Sequence, residues 1–71
     1  MEEVKQATRL KIERVSRGLK LADIAHLVGV SSATVSNWEK GETYPDIDKA
    51  IELSRYYDVP IKELFSECFG N

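Results

Sequence analysis

The stretch spanning residues 19–41, LKLADIAHLVGVSSATVSNWEKG, constrains this chain more than any other. In its first half Leu21, Ile24, Ala25 and Val28 recur at the spacing of one helix face. Gly29 and Val30 interrupt that pattern. Ser31 or Ser32 then stands in position to cap a second helix, in which Val35 and Trp38 lie three apart and share a face. The reading is two short helices joined by a tight turn, residues 20–28 and 32–40. Gly41 ends the second, as a residue that accepts positive φ. Lys20 is a weak N-cap, whereas Asp23 in the first turn suits the positive end of the helix dipole.

The flanks read as helix too. Residues 3–17 predict a first helix, closed by Gly18; Val4, Ala7, Leu10, Ile12 and Val15 form no single stripe, so Leu10 is expected to be buried and the pattern leaves Ile12 and Val15 open. GETYPD is a loop. Pro45 introduces a fourth helix with Asp46 and Asp48 in its first turn. Ile47, Ala50, Ile51, Ser54 and Tyr57 share one of its faces and Leu53 flanks them. Asp58, Val59 and Pro60 break it, and a fifth helix over residues 60–68 carries Ile61, Leu64, Phe65 and Cys68. Strand-like alternation is missing throughout, so the expected class is all-α, a compact five-helix bundle. The expected core is Leu10 and Leu19, then Ile24, Ala25 and Val30, then Val35 and Trp38, then Ile47, Leu53, Val59 and Leu64.

With 71 residues the expectation is one domain, 1–71, in which residues 66–71 form a tail or a dimer element. So small a bundle is marginally stable and needs a staple, a partner or efficient packing. Cys68 is the single cysteine, so no internal disulfide forms, and no His/Cys cluster has metal-ligand spacing. No metal or cofactor is expected. Without a membrane-length apolar run or a signal-peptide core, the default is a cytoplasmic protein with no membrane partner. Catalysis lacks material: His26, the only histidine, sits among apolar helix positions, and Cys68 has no evident base beside it.

The net charge of -2 argues mildly against a nucleic-acid partner, but its distribution argues for one. Residues 1–20 hold six basic groups against three acidic ones, and residues 42–71 hold three against seven. A dipolar molecule of this kind presents its basic end to phosphates. The helix over residues 32–40 points the same way. Opposite Val35 and Trp38 it carries Ser32, Ala33, Thr34, Ser36 and Asn37, which are short and uncharged. An ordinary exposed helix favours Glu and Lys. A face of short polar groups lets a helix sit deep in a major groove, where Asn37 is able to pair bidentately with an adenine edge.

The run RVSRGLKLADIAHLVGVSSATVSNWEKG over residues 14–41, followed by Pro45, Val59 and Leu64-Phe65, resembles the phage-repressor and Cro family of helix-turn-helix regulators. The likeness covers residues 10–65. It implies a five-helix bundle that binds double-stranded DNA through its third helix, generally as a dimer on inverted half-sites. Carried over by position, Ser32, Ala33 and Asn37 contact bases. Thr34, Ser36 and Lys40 contact phosphates, and Arg14 and Glu39 form an interior salt bridge. Two positions depart from the pattern. Lys20 and Leu21 stand where many relatives have Ser or Thr followed by a phosphate-gripping Gln, so Lys20 is expected to serve as a substitute phosphate contact. Glu13 stands where many relatives are apolar.

A homodimer is expected because one such module offers few contacts, with Ile61, Phe65 and Phe69 as interface anchors among the crowded C-terminal aromatics. The expected function is therefore a sequence-specific transcriptional regulator, bacterial or phage-borne, and not an enzyme. The competing reading is a protein-interaction module, such as an antitoxin or adaptor, whose partner is another protein.

Overall fold

Each helix of the computed structural model, which describes residues 8–65, begins and ends where short-range chemistry dictates. α1 (Arg9–Ser16) starts at Thr8, whose hydroxyl accepts the Lys11 N–H at 3.3 Å. The helix is therefore shorter than the expected 3–17, because the extended backbone of Thr8 turns the chain there. Val4 and Ala7 lie outside the described residues. α2 (Leu21–Val28) has Lys20 as its N-cap. A lysine side chain cannot accept a hydrogen bond, so the only side-chain help is the Asp23 carboxylate, which accepts the Lys20 N–H at 2.8 Å.

α3 (Ser32–Lys40) is capped by Ser31, not Ser32: the Ser31 hydroxyl accepts the Thr34 N–H at 3.1 Å. Gly29 and Gly41 close α2 and α3 at φ 74° and 77°, a left-handed backbone that side chains resist. α4 (Ile47–Tyr57) is capped by Asp46 through the Lys49 N–H. It ends at Asp58, whose φ of 59° is unusual for a residue with a Cβ and is tolerated best by Asp and Asn among such residues. The Ser54 hydroxyl donates to the Val59 carbonyl at 2.7 Å and secures the exit. α5 (Ile61–Leu64) is one turn, closed by Phe65. The expected extension to Cys68 falls outside the described residues.

α2 and α3 pack on each other, α1 lies against α3 and α5, and α4 lies against α2 and α5. At their junction Leu10, Ile24, Ala25, Val35, Trp38, Leu53, Val59 and Leu64 are buried, with Val28, Ala50, Tyr57 and Phe65 beside them. Leu19 and Val30 are partly buried against this cluster.

Two expectations fail. Ile47 is 63% exposed. Ala50, Leu53 and Tyr57 define the buried arc of α4, and at 3.6 residues per turn Ile47 lies roughly 85° away from its centre. Leu53, placed at the flank of that face but expected in the core, is fully buried. Phe65, expected at a dimer interface, is only 4% exposed and belongs to the core. It closes the bundle from α5 and meets the Tyr44 ring edge-on, with centroids 6.5 Å apart. Phe69 and the expected tail 66–71 lie outside the described residues.

Candidate nucleic-acid interface

α3 is anchored on one side and open on the other. Val35, Trp38 and Glu39 are its buried residues. The opposite side is a stripe at helical spacing, Ala33, Asn37 and Lys40, with Ser32 and Ser36 on one flank and Thr34 on the other. Ser32, Ala33 and Lys40 are exposed, and Thr34, Ser36 and Asn37 half-exposed. The expected base-contacting residues Ser32, Ala33 and Asn37 thus share one accessible surface. The expected phosphate contacts Ser36 and Lys40 border it. The Thr34 hydroxyl lies 2.9 Å from the Ser31 hydroxyl, so it is partly engaged in capping its own helix. Lys20 is exposed at the start of α2, next to a half-buried Leu21.

Beside the apolar anchors Val35 and Trp38, a buried ion pair fixes the orientation of this face. Glu39, buried beside Trp38, takes two hydrogen bonds from the Arg14 guanidinium, Nε to Oε2 at 2.7 Å and Nη2 to Oε1 at 3.1 Å. The remaining nitrogen, Nη1, donates to the Leu19 carbonyl at 2.8 Å. One side chain therefore joins the last turn of α1, the entry to α2 and the last turn of α3. The bond to Glu39 raises the Arg14 pKa further above its already high ordinary value. The expected salt bridge is present and is the most buried ion pair among the described residues.

The carbonyl end of α3 is closed as well. The Asn37 carbonyl accepts from the Glu42 N–H at 3.0 Å, and the Trp38 carbonyl accepts from the Gly41 N–H at 3.1 Å. This blunts the negative end of the helix next to Lys40.

Three of the six basic groups at the start of the chain, Arg9, Arg14 and Arg17, are engaged in intramolecular ion pairs. Arg9 pairs with Glu13 at 2.6 Å and Glu63 at 3.3 Å. Arg17 pairs with Glu13, donates to the Tyr57 carbonyl at 2.9 Å and covers the Tyr57 ring. Hydrogen bonds from Arg17 and then Arg9 hold the Glu13 carboxyl below its ordinary pKa. A carboxylate at this position is thereby explained: it bridges two arginines along α1. Lys11, Lys20 and Lys40 make no ion pair among the described residues and are exposed.

The sequence reading missed Tyr44. GETYPD reads as a loop, yet its tyrosine leans on Phe65 and sets its hydroxyl over Gly41, 3.7 Å from where a Cβ would stand. An aromatic directly before a proline, just past a helix stop, was the available signal. Among the described residues no group of His, Cys, Asp and Glu could hold a metal ion, and no helix is long and apolar enough to cross a membrane.

Comparison with known proteins agrees with this geometry. A helix-turn-helix family model matches residues 10–64. The transcriptional repressor RstR of cryptic phage CTXphi, from Vibrio cholerae, is 33% identical over 65 residues, covering 92% of this chain and 59% of the repressor. A transcriptional regulator from Listeria innocua superimposes with a TM-score of 0.74 at 41% identity, over 79% of this chain and 52% of that one. The restriction-modification controller protein C.AhdI from Aeromonas hydrophila does so with a TM-score of 0.67 at 28% identity, over 80% of this chain and 86% of the controller. The chain thus spans between half and two thirds of the first two relatives.

Proposed function

The chain belongs to the helix-turn-helix family of phage-repressor and Cro type, and from that premise we propose that it is a sequence-specific DNA-binding transcriptional regulator. α3 enters the major groove with Ser32, Ala33 and Asn37 on base edges. Ser36, Lys40 and Lys20 hold phosphates beside it, and Thr34 adds a contact from its capping position. The observation that carries this reading is the two-sided character of α3. One side is fixed in the core by Val35, Trp38 and Glu39, and the other is a short, uncharged stripe ending in a lysine.

Two copies bind an inverted repeat whose half-sites lie one helical turn, about 34 Å, apart. The α5 side supplies the contact through Ile61, which is half-buried, while Phe65 is committed to the core. Regulation then follows from protein concentration and operator position, as suits a bacterial or phage-borne regulator acting in the cytoplasm.

Selection of bound DNA from a random pool tests the proposal. Enrichment of an inverted repeat supports it. No enriched sequence favours a protein partner instead, a reading supported by the internal use of Arg9, Arg14 and Arg17 and by the apolar Leu21 at the start of α2.

A further inference from the structure

We propose that Tyr44 is a phosphate-binding residue, its hydroxyl acting with the Lys40 ammonium on one phosphodiester at the end of α3. The proposal rests on the DNA-binding reading above and assigns that site a donor from outside the helix.

Three observations place it. The Tyr44 ring is held edge-on against the buried Phe65, with an interplanar angle of 83°, so the side chain is braced from below while the residue stays 40% exposed. Its hydroxyl lies over Gly41, the residue that follows Lys40. Among the described residues that hydroxyl has no hydrogen-bond partner, whereas the Glu42 N–H is already spent on the Asn37 carbonyl and the Gly41 N–H on that of Trp38. Side chains, not these backbone amides, must therefore supply the donors at this end of α3. A phenol set over Gly41 and a lysine at the preceding position supply two donors of the kind that suit an anionic oxygen pair. The exposed Glu42 follows Gly41 in the chain, and the Lys40 charge offsets its own.

The fixed ring distinguishes Tyr44 from an ordinary surface tyrosine. A pre-placed hydroxyl loses little side-chain freedom on binding, so more of its hydrogen bond appears as affinity.

The experiment compares wild type, Tyr44→Phe and Lys40→Ala on the selected operator and on unrelated duplex DNA, across a salt series. Tyr44→Phe keeps the contact with Phe65 and removes only the hydroxyl, so its melting temperature serves as the control for folding. The expected result is a loss of roughly five- to tenfold in affinity on both DNAs. The slope of log K against log salt stays unchanged, because a neutral donor displaces no counterion. Lys40→Ala lowers that slope by about one. Tyr44→Phe binding as wild type does on both DNAs overturns the proposal and leaves the DNA-binding reading intact. A wild-type protein with no salt-dependent affinity for any duplex removes both.

Discussion

Arg14 reaches Glu39 across 25 positions of sequence and meets it in a two-pronged hydrogen bond, with the third prong on the Leu19 carbonyl. The pair is nearly dry, with side-chain exposures of 12% and 5%. Burying two charges is costly, so its net contribution is small, but removing one partner strands the other. Glu39→Ala should therefore destabilise by about 3–5 kcal/mol. In a domain this size that lowers the melting temperature by more than about 10 °C. Replacing both partners by apolar residues of similar volume should recover most of the loss. Thermal unfolding of the two variants measures this, and an unchanged melting point for Glu39→Ala would refute it.

Asn37 and Lys40 lie three residues apart on the open stripe but should fail differently. Asn37→Ala should relax preference at one base position at a cost of about 1–3 kcal/mol. Lys40→Ala should weaken binding to all sequences alike. Competition assays against single-base operator variants separate these outcomes. An Asn37→Ala protein that keeps its full preference rules out the base contact.

Tyr57 should make the protein sensitive to alkali. Its side chain is 1% exposed and its hydroxyl is buried without a partner among the described residues. Burial, followed by the negative charge of Glu39, pushes its pKa from 10.0 up to about 12. Below pH 10 the phenol is protonated in both folded and unfolded chains and contributes no pH dependence. Between pH 10 and 12 the unfolded chain loses that proton and the folded one does not, so stability falls by up to about 2–3 kcal/mol. Tyr57→Phe should be neutral or stabilising near pH 7, since it removes an unpaired buried hydroxyl. It should also flatten the decline above pH 10. Urea unfolding at stepped pH compares the two proteins. Equal slopes above pH 10 would exclude this role for Tyr57.

Phe65 separates core from interface. Phe65→Ala should cost about 3–5 kcal/mol and lower the melting temperature at every protein concentration. Ile61→Glu should leave the dilute protein folded and shift sedimentation toward monomer. A Phe65→Ala variant that melts normally while only dissociating would restore it to the interface.

The fold was legible wherever local chemistry decides it. Ser31, Gly41 and Asp46 act through backbone groups a few residues away, so the limits of α3 and the start of α4 were legible to within a residue, although the sequence left Ser31 and Ser32 open as the cap and placed Asp46 inside the first turn instead of at the N-cap. The α1 boundary did not, because helix-forming residues continue upstream of Thr8 and propensity alone gives no stop. Ile47 was misjudged because a single helix with apolar residues on nearly two faces does not reveal which one its neighbours cover. Phe65 was misjudged for a related reason: an aromatic on the last short helix fits a core or a partner equally well until the other four helices are placed. The open face of α3 was visible in its unusual composition. The packing of Tyr44 was hidden, since it depends on a contact with Phe65, 21 residues along the chain.

The stripe on α3 is structurally idle. Asn37 secures the helix end through its carbonyl, which any residue supplies, while Val35, Trp38 and Glu39 carry the packing. On the proposed reading, substitutions at Ser32, Ala33 and Asn37 should therefore change what is recognised without changing what is folded. If that reading holds, operator preference is free to drift, and a new binding sequence is reachable through intermediates that all remain stable.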